Sequence, residues 1–214
     1  ELTDLPLIKY ISQKRKPILI STGMGNLDEI RDAVETAKNN GCEQILLFHC
    51  ISSYPTPTKY ANIKMILKLK EEFNLEVGLS DHTIDNTAAM AAVALGASAI
   101  EKHFILSRSE KGPDSDFSIE PKEMKMLVEE SARAWQSLGE IFYGPTESEK
   151  NGLNLRRSIY VVNDIVSGEK LSKENIRIIR PGKGLAPKYF DEIMGRKVNK
   201  NLKKGTALLW NMLK

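Results

Sequence analysis

Residues 78–104, GLSDHTIDNTAAMAAVALGASAIEKHF, read as strand, loop, helix and strand. Val77, Gly78 and Leu79 form a short apolar run that gives way to Ser80-Asp81-His82-Thr83. Residues 86–95 are rich in helix-favouring Ala, and Gly96 marks the stop. Residues 97–100 supply a second apolar run, ending in Glu101-Lys102-His103. Two strands joined by a helix make a parallel, right-handed βαβ unit, whose strand C-termini share one edge of the sheet. His82 and His103 are therefore expected at equivalent ends of neighbouring strands, facing one pocket. Two imidazoles brought together in this way suit a divalent metal ion.

The same pattern repeats upstream. Apolar runs at residues 18–20 and 44–48 read as buried parallel strands, ending in Ser21-Thr22-Gly23-Met24 and His49-Cys50. Residues 28–38 form an amphipathic helix with Ile30, Val34 and Ala37 on one side. Residues 62–73 read as a second helix, residues 76–79 as the third strand, and residues 121–138 as a helix closing the series. Strands alternating with helices imply an α/β fold with a parallel sheet. The repeat resembles the closing half of a TIM (β/α)₈ barrel, in which sites lie at the strand C-termini. A full barrel needs ~250 residues and this part offers about 140, so four strands are expected upstream or on another chain. The first strand would otherwise be a bare edge.

Residues 144–154, GPTESEKNGLN, are polar and turn-rich and read as a linker. The remainder changes character: residues 157–162, 176–179, 198–202 and 207–210 read as short strands, with a short helix over 187–194. The expected division is a partial barrel over 1–143, a linker over 144–156 and a small β-rich domain over 157–214. Two similar phrases, DIVSGE at 164–169 and NLKKGT at 201–206, point to related turns.

The totals narrow the classes. A net charge of +3 in 214 residues, with no basic stripe interleaved with aromatics, argues against nucleic acid. Two cysteines are too few for a disulfide framework, which fits a reducing cytoplasmic setting. No apolar run approaches the ~18 residues of a membrane span.

Six motifs occur in order: STGM at 21–24, HCISSYPTP at 49–57, GLSDHT at 78–83, IEKHF at 100–104, GPDSDFS at 112–118 and RPGKG at 180–184. Together they resemble the sialic acid synthase family, and the resemblance covers nearly the whole chain. YGPTESEK at 143–150, RRSIYVV at 156–162 and GLAPKY at 184–189 look most like its pseudaminic acid synthase branch. Ser52 stands where N-acetylneuraminate synthases usually carry Asn, whereas His49-Cys50 looks more like the sialic branch.

The resemblance implies a TIM barrel followed by an antifreeze-like (SAF) domain. It implies condensation of phosphoenolpyruvate with an N-acetylated aminohexose, with release of phosphate. It also implies a domain-swapped homodimer in which each small domain caps the partner's barrel. By family position, His82 and His103 are the ligands of a Mn²⁺ or Mg²⁺ ion; Asp81 reads either as a partner fixing a tautomer or simply as a loop cap. Ser21, Ser52 and Ser80 match phosphoenolpyruvate contacts. Tyr54 and Asp114 match amino-sugar contacts, with Asp114 also placed among the catalytic residues, and Arg180 reaches the sugar from the partner.

Plainer readings stand beside these. The serines are also turn and capping residues, and Asp114 in Gly112-Pro113-Asp114 suits a turn. His49 reads as a packed strand-end histidine and Cys50 as a small buried apolar residue. Glu101 and Lys102 alternate on their strand, so one of them points into the barrel. A non-catalytic sugar- or anion-binding module is the alternative of another class. An aldolase-like barrel is a third, with Lys102 as its one Schiff-base candidate.

Overall fold

The computed structural model describes residues 1–214. They fall into two compact units, Glu1–Glu140 and Ile141–Lys214.

In the first unit, Leu5–Ser12 (α1) precedes a series of strands and helices: Ile18–Ser21 (β1), Leu27–Asn39 (α2), Ile45–Cys50 (β2), Met65–Phe73 (α3), Glu76–Asp81 (β3), Thr87–Ala94 (α4), Ile100–Lys102 (β4) and Pro121–Ser137 (α5). The four strands pair in sequence order, all parallel. This is half of a TIM barrel. The helices begin where local chemistry demands. Asn26 and Glu29 form a reciprocal capping box at the start of α2. At α5 the Glu123 carboxylate accepts from Glu120 N–H at 2.8 Å, and Pro121 takes the first position. Gly96, at φ +84°, ends α4 in the left-handed region.

Strand parity sorts the side chains. Ile18, Ile20, Ile45, Leu47, Val77 and Leu79 point to the helices and pack with Ile30, Val34, Ile66, Leu69 and Ala92 in one buried core. The alternate residues face the barrel interior. Ser21, Phe48 and Gly78 share one level of the ladder. A Cβ on Gly78 would lie 2.6 Å from Phe48 Cε1, so the Phe48 ring takes the space that a side chain at 78 would fill. Cys50, Ser80 and Glu101 make the next level.

The last strand is displaced from its sequence-based range. Residues 97–99 are the approach, in which Ser98 N–H donates to Val77 O and Leu79 N–H to Ala99 O, and the strand proper is Ile100–Lys102. The apolar run marks where the chain enters the sheet, while pairing continues into polar residues whose partners lie on β3. No helix is long and apolar enough to cross a membrane.

The second unit is small and β-rich. Residues 147–155, which read as linker, form a 3₁₀ helix (Glu147–Leu155) with Thr146 and Glu149 capping its start. Ser158–Val161 (β5) pairs antiparallel with Ile176–Ile179 (β6), and Phe190–Ile193 (α6) is a single helical turn. Two of the expected strands survive only as isolated bridges, Tyr160 with Ala207 and Val198 with Leu213. Ile159, Val161, Ile165, Ile176, Ile193, Val198 and Leu208 form its core. The two related phrases pair with each other. Ile165 and Leu202 exchange backbone hydrogen bonds of 2.9 and 2.8 Å, and Gly168 and Gly205 both adopt φ +88°.

Candidate functional site

The interior-facing ends of the strands open into a cleft of about 710 Å³, lined among others by Ser21, Ser52, Tyr54, Ser80, His82 and His103. Six of the eight sequence-derived site residues thus share one wall. Asp114 joins them through His103, and Arg180 lies exposed in the second unit, just beyond β6.

The two imidazoles converge. Their ring centroids are 5.3 Å apart. His82 is buried, and its Nδ1 lies 2.8 Å from Ile51 O. A carbonyl only accepts, so Nδ1 carries a proton and is the nitrogen tied to the backbone. Nε2 sits 3.4 Å from Ser80 Oγ, on the cleft side. His103 turns Nδ1 toward Asp114 Oδ2, at 3.5 Å. The His82 ring is thus held through Nδ1 by a backbone carbonyl, the kind of outer contact that orients a metal-ligating imidazole, and the Asp114 carboxylate lies close to the Nδ1 of His103. No group of three His, Cys, Asp or Glu side chains converges to hold a metal. The donor set fits a divalent ion that keeps open positions for water or substrate oxygen.

Two loops hold the rings in place. Thr56 N–H donates to His82 O at 2.8 Å, and the buried Thr56 hydroxyl donates to Ser53 O at 2.7 Å. This closes the loop after β2 and lays the Tyr54 ring on His82, with centroids 4.3 Å apart. After β4 the chain returns to the sheet: Ile119 N–H donates to His103 O at 2.8 Å, and Phe117 packs edge-on against His103 at 4.9 Å. Ser118 donates through N–H and hydroxyl to Asp114 O, fixing the turn that brings Asp114 to His103. Neither Thr56 nor Phe117 stood out in the sequence, since both work by closing loops whose paths depend on tertiary contacts.

Glu101 is the interior member of the Glu101-Lys102 pair. Ser80 Oγ donates to its Oε1 at 2.7 Å, and Glu101 lines the cleft. Parity carried this signal: once His103 faces inward, the residue two positions earlier does too. Lys102 faces the helices, buried with Asp81, their side chains 1% and 2% exposed. The Schiff-base reading thus loses its amine, and Asp81 bonds to Lys102 and Thr83 N–H rather than to a histidine ring. Ile51 O is the partner of the His82 ring. None of the residues lining the cleft is Lys or Arg.

His49 is a packed histidine on the other face, its Nε2 2.8 Å from Ala61 O. Burial holds its pKa below the usual value, partly opposed by that hydrogen bond. The folded ring binds a proton more weakly than the unfolded one, so acid favours unfolding. This penalty is absent above the unfolded pKa near 6.5 and grows as pH falls through it. His49→Gln is therefore expected to flatten the loss of urea stability between pH 7 and pH 5, where a single proton is worth at most about 1.4 kcal/mol per pH unit. Equal slopes for the parent and the variant would refute the assignment.

Residues 1–143 match the NeuB family and residues 156–214 the SAF domain. An N,N'-diacetyllegionaminic acid synthase of Legionella pneumophila is 40% identical over 215 residues, covering 98% of this chain and 60% of that protein. A pseudaminic acid synthase of Campylobacter jejuni is 39% identical, covering 97% of this chain and 61% of its own. The solved N-acetylneuraminic acid synthetase of Leptospira borgpetersenii superposes with a TM-score of 0.66 at 33% identity, over 72% of this chain and 54% of its own. The chain thus spans roughly 60% of the length of the curated relatives it matches.

Proposed function

The chain belongs to the NeuB family, and from that premise we propose that it is the strand-end half of a nonulosonic acid synthase, one that condenses phosphoenolpyruvate with an N-acetylated aminohexose and releases phosphate. The observation that carries the reading is the imidazole pair at the ends of adjacent parallel strands, with the His82 tautomer set by Ile51 O. His82 and His103 would hold a Mn²⁺ or Mg²⁺ ion, which when bound supplies Lewis-acid polarisation of the sugar aldehyde. In the proposed reaction carbon 3 of the enol ester would attack the aldehyde carbon, whose oxygen takes up a proton; water would add at carbon 2 with loss of a proton, and phosphate would leave by carbon–oxygen cleavage as the carbon 2 hydroxyl gives up its proton to form the ketone.

The chain's own groups divide the remaining work. Ser21 and Ser52 offer hydroxyls to the anion's oxygens. The Ser80 proton is committed to Glu101, so Ser80 contributes to the anion only by turning. Asp114 accepts from sugar hydroxyls beside His103, and Tyr54 closes the cleft over His82. Arg180 belongs to a loop clamped in place by Ser158, whose Oγ donates to Pro181 O at 2.7 Å and accepts from Gly184 N–H at 2.8 Å. In a swapped dimer that arginine would face the partner's sugar. The pseudaminic branch is favoured over N-acetylneuraminate synthesis by the motifs at 143–150, 156–162 and 184–189. A reducing cytoplasmic setting belongs to the same proposal.

A cleft with hydroxyls and carboxylates but no Lys or Arg holds a trianionic phosphoenolpyruvate poorly, since the one proposed ion serves the aldehyde. The clamp for phosphate is assigned to the complementary half-barrel. Phosphate release from phosphoenolpyruvate, measured with Mn²⁺ and either N-acetylmannosamine or a diacetamidohexose, is expected only when the chain is joined to the N-terminal half of a relative. The 214-residue chain alone is expected to release little or none. Equal rates would defeat that division of labour. No release from the joined protein with any of the sugars would favour a non-catalytic binding module.

A further inference from the structure

Directly behind the two imidazoles, on the helix side of the sheet, lies a buried ion pair. Asp81 and Lys102 are ladder partners on β3 and β4. The residue that follows each strand is a histidine, so continuing the alternation by one step puts the ion pair on one face and both rings on the other. We propose that the Asp81–Lys102 pair is the positioning element that sets the spacing and orientation of His82 and His103.

The hydrogen bonding supports more than a charge pair. Lys102 Nζ donates to Asp81 Oδ2 at 2.8 Å, to Thr83 O at 2.7 Å and to Asp85 O at 2.9 Å, which uses all of its protons. Asp81 Oδ1 accepts from Thr83 N–H at 2.9 Å. The segment leaving β3 is therefore wrapped around one ammonium group, and His82 is its first residue. A buried ion pair is a poor way to gain stability, because desolvation offsets the attraction, and apolar residues of similar size often serve as well or better. What an apolar pair lacks is the ability to hold the Thr83 and Asp85 carbonyls. Fixing those carbonyls fixes the backbone on the C-terminal side of His82, while Thr56 N–H fixes its own carbonyl. The ring is then left one direction in which Nδ1–H reaches Ile51 O. Because Lys102 also precedes His103, the same contact ties the two histidine-bearing strand ends together. Asp81 and Lys102 touch neither substrate nor the reacting atoms; they act through the histidines.

Two variants of the full chain test this. Asp81→Leu/Lys102→Met replaces the pair by apolar groups, and its circular dichroism melt is expected within a few degrees of the parent. Lys102→Arg keeps the charge and the contact with Asp81, but its planar fork cannot serve the carboxylate and both carbonyls as a three-proton ammonium does. Each is read by two-bond ¹H–¹⁵N correlation of the imidazoles without metal, and by Mn²⁺ titration. The parent is expected to show His82 as a single Nδ1–H tautomer. In the apolar variant His82 is expected as a mixture of tautomers, with Mn²⁺ affinity lowered about 10- to 100-fold, the usual effect of removing groups that orient ligands. Lys102→Arg is expected to move both readouts the same way, by less. A folded variant with an unchanged His82 tautomer and Mn²⁺ affinity within twofold of the parent overturns the proposal. If the apolar variant does not fold, Lys102→Arg decides by the same criteria. The Mn²⁺ readout rests on the proposed metal function. Absence of Mn²⁺ binding by the parent would refute that function, and the tautomer readout alone would then decide the positioning role.

Discussion

Replacement of both His82 and His103 by alanine is expected to abolish Mn²⁺ binding by this chain, while the parent binds and His49→Gln binds as the parent does. The contrast among the three histidines is one of parity. His82 and His103 point into the cleft with ring centroids 5.3 Å apart, whereas His49 lies on the helix-facing side, bonded to Ala61 O. Removing either cleft ring leaves one imidazole with water and substrate as the only other donors, since no third His, Cys, Asp or Glu joins the pair. The double variant keeps no cleft imidazole at all, and even a single one is a weak ligand for a hard divalent ion, so measurable affinity is expected to be lost rather than reduced. Isothermal titration with Mn²⁺ reads the result, and electron paramagnetic resonance of the free ion checks it. Binding by the double variant at the parent's affinity would show that the ion sits elsewhere and would remove the basis of the proposed chemistry.

Gly78→Ala is expected to lower the stability of the half-barrel by about 3 kcal/mol, near the top of the range for overfilling a packed interior. The new methyl would lie 2.6 Å from Phe48 Cε1 and 2.7 Å from Ala99 O. The ring has some freedom to turn. The carbonyl has little, because it accepts Leu79 N–H at 2.9 Å where β4 joins β3. Either that joint opens or Phe48 leaves the interior, and both disturb the sheet below His82 and His103. A melting temperature lower by about 10 °C is expected, from the entropy of unfolding of a domain this size. Adding Phe48→Leu is expected to restore only part of it, since the clash with the carbonyl remains. A drop of less than about 2 °C in Gly78→Ala would mean that the interior is looser than these contacts require.

Particular residues show where the chain was legible and where it was not. The apolar runs on β1, β2 and β3, the Ala-rich α4 and its Gly96 stop announce their structures locally, because parallel strands and short helices are encoded by composition and period. The convergence of His82 and His103 followed from the handedness of a βαβ unit, which is set by backbone chirality and not by the identity of neighbours. The beginning of β4 was misplaced by about three residues, since pairing with Leu79, Ser80 and Asp81 recruits Ile100, Glu101 and Lys102 whatever their polarity. Residues 147–155 read as linker because their hydrophobicity is low, yet the Thr146–Glu149 capping box was there to be seen. Asp81 sits beside a histidine in the sequence and on the opposite face in the fold, which is why adjacency misassigned it.

By itself the amino-acid sequence determined the order of strands and helices, the edge of the sheet at which the chemistry gathers and the pair of residues at its centre. Those depend on local propensity and on the fixed hand of the chain. Only the tertiary structure decided which nitrogen of His82 is free, which of Glu101 and Lys102 enters the cleft, and that Phe48 needs glycine at position 78. Each of these depends on a contact between residues distant in the chain, such as Ile51 with His82 or Ser80 with Glu101, and such contacts exist only once the strands have come together.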